Sequence, residues 1–462
     1  MNTLTLTVVV LVLYMAAMLV IGYMGRNKSE NFKEYVTAAK KGSLMMVCGS
    51  YIGSHIGNGV VVGGAENGAN WGLSGVWFGV GACLSYIVFA VVIAKKLYRS
   101  NCLTLSECLD KRYGGHATGT IFAVINCGAA ISIMAGQITA GKNLFSYLGL
   151  NPVAGAALCC IVVFIYATMS GQWGVMMTDV IQVAIIFACT LIALFYMIGS
   201  GAFGVMASAL PAESYSLFGV DAETIVMSAV PSMLYGLVSC ASFQRNVSAK
   251  DEKTAVRSAL WGGIILLPYV FLPVLIGMYG RALFPDAAAG SIIFKVFLEV
   301  FPPLLGAIMI AAQMAAVMST VDSQLIYVTA SMTNDIYLQF INKNAHNDEK
   351  KLNNLAHIIT FVAGLITLYV ALGTTAITKM LSFAYTFLCA GTLVMFVGGV
   401  FWKKATKPGA IAAAAVGIFF VVLYKFCGVV LPFSSVFPIL PSAIAFVVVS
   451  LCTQPKNAEA AK

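Results

Sequence analysis

The sequence predicts an all-α polytopic membrane protein with about thirteen transmembrane helices. Three observations carry this. Only 10% of the 462 residues are charged while 60% are hydrophobic, against roughly 25% charged residues in an ordinary soluble domain. Apolar runs of about 20 residues, enough to cross a hydrocarbon core of about 30 Å, recur from end to end. Cations gather in alternate connecting segments.

Hydropathy and helix breaks place the spans at residues 4–25, 43–65, 71–94, 118–147, 152–169, 174–199, 223–243, 256–280, 302–333, 354–373, 376–401, 408–425 and 433–453. The first charge, Arg26, follows the first apolar run. That run therefore reads as a span with an external start, not as a cleaved signal peptide. An N-out start sends these cations to the cytoplasm: Arg26, Lys28, Lys33, Lys40 and Lys41; Lys95, Lys96, Arg99, Lys111 and Arg112; Arg245, Lys250, Lys253 and Arg257; Lys343, Lys350 and Lys351; Lys403, Lys404 and Lys407; Lys456 and Lys462. Lys142, Arg281, Lys295, Lys379 and Lys425 fall at or near the other side. This bias predicts an N-out, C-in protein of a bacterial-type inner membrane, its net charge of +9 set against anionic lipid.

The same features exclude other classes. No P-loop is present to use ATP, and the basic residues lack the interleaved aromatics of a nucleic-acid surface. Most of the twelve cysteines lie inside spans as packing residues, and the four histidines are scattered. Neither a disulfide framework nor an enzyme is therefore expected. A repeated filter loop, which would suggest a channel, is not found. A transporter driven by an ion gradient remains.

The second span carries Gly49, Gly53, Gly57, Gly59, Gly63 and Gly64 among Ser50, Ser54, His55 and Asn58, a poor continuous helix. Backbone released from helical bonding in a bilayer is tolerated where it lines a cavity or is buried in protein, so ligand contact is its natural use. The alternative is close helix packing through Gly53 and Gly57, spaced as GxxxG. Five spans later Pro231, Ser232 and Gly236 interrupt the seventh span, and two interrupted segments in matching positions point to a transport site.

In the ninth span Ala316, Ser319, Thr320 and Ser323 share one helical face. Hydroxyls beside loosened carbonyls suit a hard cation such as sodium; the alternative is that they bond the preceding turn. Two acids, Asp179 and Asp322, sit in spans at a cost of about 2.5–3.5 kcal/mol each at mid-membrane, which a function usually explains. Asp179 could instead be solvated near the cytoplasmic surface, and Asp322 could be a neutral, hydrogen-bonded carboxyl. Glu66 and His55 are secondary candidates.

The stretches MIAAQMAAVMSTVDSQL with MTNDIY, MTDVIQ at 177–182, GRALFPD at 280–286 and SFQRN give the chain a resemblance to the sodium/solute symporter family over nearly its whole length. That family includes proline and pantothenate permeases and the sodium/glucose cotransporters. The resemblance implies a LeuT-like core: a leading helix (1–25), inverted five-helix repeats (43–200 and 223–401), two trailing helices (408–453) and a cytoplasmic tail (454–462). It implies a sodium site made of Gly53 and Ile56 carbonyls, the Ala316 carbonyl, and the Ser319 and Thr320 hydroxyls. Asp179 and Ser323 match positions near a further cation, and Tyr235 matches an inner-gate tyrosine. Asp322 stands where many relatives have a small or neutral polar residue, which leaves a second cation or a proton open. Val60, Gly79 and Ala82, where the glucose branch would hold sugar, disfavour a sugar.

Expected, then, is sodium-coupled symport of a small organic solute by alternating access. A zwitterion or carboxylate, such as an amino acid or a pantothenate-like compound, is favoured, and a cationic amine is the alternative. Expected solute contacts are Gly57, Asn58, Gln137, Ser232 and Tyr235. The site region is expected to contain no mid-membrane arginine.

Overall fold

A computed structural model describes residues 3–26, 31–57, 59–342, 348–373 and 377–454. Lys28, Asn58, Lys343, Lys456 and Lys462 lie outside these, as does the tail beyond Gln454. Among the described residues the regular structure is helical, with one isolated backbone bridge between Gly42 and Ala249.

Among the described residues nine helices are long and apolar enough to cross a membrane, or ten if the bent pair Ala222–Val238 and Cys240–Ser248 is one span. The thirteen expected spans differ from this count in three places. Pro152–Gly199 is one 48-residue helix with a kink, the second span is split into pieces of 12 and 10 residues, and Ile439–Cys452 has only 14.

At 1.5 Å per residue, Pro152–Gly199 would run about 70 Å, some twice the hydrocarbon core. It does not run straight, because Gly171 takes φ 56° and ψ −155°. The first helix, Thr3–Gly25, shows what happens there. Gly25 abuts Ser170 and Trp173, and Gly22 abuts Tyr166 ahead of the kink. Tyr14 accepts a 2.8 Å hydrogen bond from Gln182 beyond it. The first helix thus lies along both arms of a hairpin that turns at Gly171. A Cβ at Gly171 would fall 2.7 Å from the Tyr35 ring, so crowding and positive φ both demand glycine.

The second span breaks where its glycines predict. Ser43 caps Leu44–His55 by accepting from Met46 N, and the helix resumes at Val62–Trp71. Between them Val60 N and Val61 N both donate to Gly57 O, a tight turn. Twelve residues of helix rise about 18 Å, which sets the break deep within a core of about 30 Å.

The seventh span corrects an expectation. Ala222–Val238 is helical straight through Pro231, Ser232 and Gly236, and the bend of 46° falls at Ser239. Ser239 is extended and caps Cys240–Ser248 by accepting from Ser242 N. Pro231 only deprives the Met227 carbonyl of its usual helical donor, a defect that membrane helices tolerate. Tight approach elsewhere holds the bundle together: a Cβ at Gly81 would lie 2.3 Å from Ala229 O, and one at Gly277 2.0 Å from Ala65 O.

Candidate cation and solute site

The break in the second span meets the ninth span, Pro303–Ser331. Ser319 Oγ donates to Gly53 O at 2.9 Å and lies 3.2 Å from Ala316 O. Thr320 Oγ1 lies 3.3 Å from both Ser54 O and Ala316 O. Two hydroxyls and three carbonyls therefore converge, an oxygen set suited to a hard monovalent cation. The hydroxyls also bond back along their own helix, so the alternative of local bonding holds at the same time. Ile56 ends the first half-helix, its N–H on Ile52 O. The broken-span carbonyl that reaches Thr320 is that of Ser54, a residue the sequence did not single out for this.

Gly53 and Gly57 face side chains, not a neighbouring helix backbone. A Cβ at Gly53 would fall 3.2 Å from Asp179 Oδ1, and one at Gly57 only 2.1 Å from Thr320 Oγ1 and 3.3 Å from Gln137 Nε2. These glycines let the broken segment approach the polar groups of the sixth, ninth and fourth spans.

Asp179 is fully buried, which excludes a solvated position at the cytoplasmic surface. Its Oδ2 accepts from Ser50 Oγ and, at 3.3 Å, from the Arg245 guanidinium. Arg245 overturns two expectations, that it is a loop cation and that the region lacks an arginine. It is 1% exposed and bridges four segments: Nε donates to Ser50 Oγ at 2.8 Å, NH1 to Ala241 O at 3.0 Å, and NH2 to Ser323 Oγ at 2.5 Å. Asp322, also fully buried, accepts from Tyr166 OH at 2.6 Å and Ser323 Oγ at 3.1 Å. The guanidinium thus pairs with Asp179 directly, while Asp322 is linked to it only through Ser323 Oγ. Asp179 Oδ1 has no hydrogen-bond partner among the described residues and lies on the Gly53 side.

Sequence reasoning missed Arg245 because charge density rises from there through Lys250, Asp251, Glu252 and Lys253 as in a loop. The signal that could have found it was Asp179 itself, since a buried acid calls for a named partner.

Beside the break a cavity of about 280 Å³ is lined by Gly59, Gly63, Asn67, Trp71, Phe78, Thr224, Met227, Ser228, Pro231, Ser232, Leu381, Tyr385 and Ser435. None of these residues is charged. Of the expected solute contacts among the described residues, Ser232 alone lines it, donating to Phe78 O at 3.1 Å. Tyr235 is buried behind it, its ring stacked on Tyr385 at 4.4 Å and its hydroxyl accepting from Gln324 at 3.1 Å. Gln137 is buried near Gly57. His55 bonds Tyr86 through Nδ1, and Glu66 is half-buried.

A helical bundle whose interrupted span meets a hydroxyl-bearing span beside a cavity is a secondary transporter. A model of the sodium:solute symporter family matches residues 35–417, and the chain belongs to that family. The sodium/pantothenate symporter of Haemophilus influenzae is 28% identical over 336 residues, covering 69% of this chain and 68% of that protein. The sodium/proline symporter of Escherichia coli is 24% identical over 442 residues, covering 89% and 86%. Among solved structures, a substrate-bound, outward-open Na+-coupled sialic acid symporter matches with a TM-score of 0.82 at 17% identity, covering 97% of this chain and 98% of that one. Mhp1, a nucleobase-cation-symport-1 family transporter, matches at 0.62 and 11% identity, covering 92% and 96%. The fold is the one these transporters share.

Proposed function

We propose that this chain imports a small zwitterionic or carboxylate solute with sodium, by alternating access between the repeats 43–200 and 223–401. Sodium is held by the carbonyls of Gly53, Ile56 and Ala316 and the hydroxyls of Ser319 and Thr320, with the Ser54 carbonyl added by its place beside Thr320. The observation that carries this reading is Ser319 Oγ 2.9 Å from Gly53 O, where the ninth span meets the break in the second. Bound sodium would tie the broken span to the ninth and so favour the state that retains solute.

The solute assignment rests on the cavity. Gly59 and Gly63 line it at the start of the second half-helix, whose free N–H groups and positive dipole end attract a carboxylate. Asn67, Ser228, Ser232 and Tyr385 supply neutral polar contacts on the remaining wall. Because the described residues of that wall include no carboxylate, they offer a cationic amine no counter-charge. An amino acid or pantothenate-like compound fits, in line with relatives named for pantothenate and proline. Gly57, Gln137 and Tyr235 would meet the solute once the Tyr235–Tyr385 stack parts. In the N-out orientation Trp71, Thr224 and Ser435 sit at external ends, so this cavity faces outward.

One sodium moving down about 100 mV and a tenfold gradient supplies about 2.3 plus 1.4 kcal/mol, enough to accumulate a neutral solute several hundredfold. Uptake of labelled amino acids and pantothenate into proteoliposomes, with and without an inward sodium gradient, tests the proposal. Uptake driven equally well by a proton gradient in sodium-free buffer would sink it. Ser319→Ala and Thr320→Ala should each raise the sodium concentration for half-maximal uptake about tenfold or more; an unchanged sodium dependence would remove those residues from the site.

A further inference from the structure

We propose that Arg245 is a tethered cation that occupies the place of a second coupling ion, so that this transporter binds one sodium per chain. The inference rests on the sodium site proposed above. Asp179 and Ser323, the side chains matched to a further cation, are already joined by a positive group: the guanidinium lies 3.3 Å from Asp179 Oδ2 and 2.5 Å from Ser323 Oγ. Its other nitrogens take Ser50 Oγ and Ala241 O. A carboxylate, two hydroxyls and a carbonyl are the oxygens that a hard ion would claim. The guanidinium suits the position because it is always charged, weakly hydrated and forked, so one side chain reaches all four.

Charge and space lead to the same count. The remaining Asp179 oxygen, unpartnered, lies on the Gly53 side, where it attracts that one ion. A second ion about 4 Å from the guanidinium would lose on the order of a thousandfold in affinity.

The test counts sodium directly and needs no solute. Purified wild-type protein is titrated with radioactive sodium at equilibrium, alongside Ser319→Ala and Arg245→Gln. One sodium per chain in the wild type, lost in Ser319→Ala and rising to two in Arg245→Gln, is the expected result. Two per chain in the wild type would overturn the tethered cation while leaving the first site intact. A folded Arg245→Gln that still binds one would overturn it as well. No sodium bound by the wild type would sink the sodium site itself. Should Arg245→Gln not fold, the wild-type count decides alone.

Discussion

Arg245→Leu is expected to lower unfolding stability in detergent by about 3–5 kcal/mol, because it leaves the Asp179 carboxylate buried with its counter-charge removed. The Arg245→Leu, Asp179→Leu double variant should be clearly more stable than the single one. Replacing both members of a buried ion pair by apolar groups is often neutral, whereas breaking one strands the other. Thermal unfolding of the four combinations measures the coupling. Additive losses would mean that the 3.3 Å contact contributes little of its own. The same guanidinium ties Ser50 of the second span and Ser323 of the ninth, so its loss should also loosen the meeting of those spans.

Gly57→Ala is expected to fold yet to need roughly tenfold to a hundredfold more sodium for half-maximal transport, the cost of losing an oxygen contact to a charge. The new methyl would lie 2.1 Å from Thr320 Oγ1, inside any allowed contact, so the hydroxyl must rotate off the site or the broken segment must retreat. In a Thr320→Ala background the same substitution should add little further loss, since the obstructing oxygen is gone. A full additional loss there would place the effect elsewhere in the backbone turn.

What the sequence disclosed, and what it withheld, divides along a physical line. The break in the second span was legible because glycine density and polar residues act locally, within one stretch of chain. The Ala316, Ser319 and Thr320 face was legible because helical period alone sets it. Arg245 and Asp179 are 66 positions apart, and nothing in either segment declares the other. The bend at Ser239 was hidden for a related reason. Proline is a visible breaker but a membrane helix absorbs it, whereas Ser239 bends because its side chain caps the helix that follows. The cavity wall was the least legible, since Asn67, Phe78, Ser228, Leu381 and Ser435 come from five separate segments and share no pattern.

The hairpin at Gly171 also bears on how the chain is made. The helix at residues 3–25 carries no charged residue, yet its polar partner Gln182 is synthesised 168 positions later. During that interval the Tyr14 hydroxyl is without this partner. Gly22 can close against Tyr166 of the first arm, but Tyr14 meets Gln182 only when the second arm has entered the bilayer. Assembly of this bundle therefore joins an early helix to a late one, and a truncation ending before residue 182 should leave the first helix without its polar tie at Tyr14.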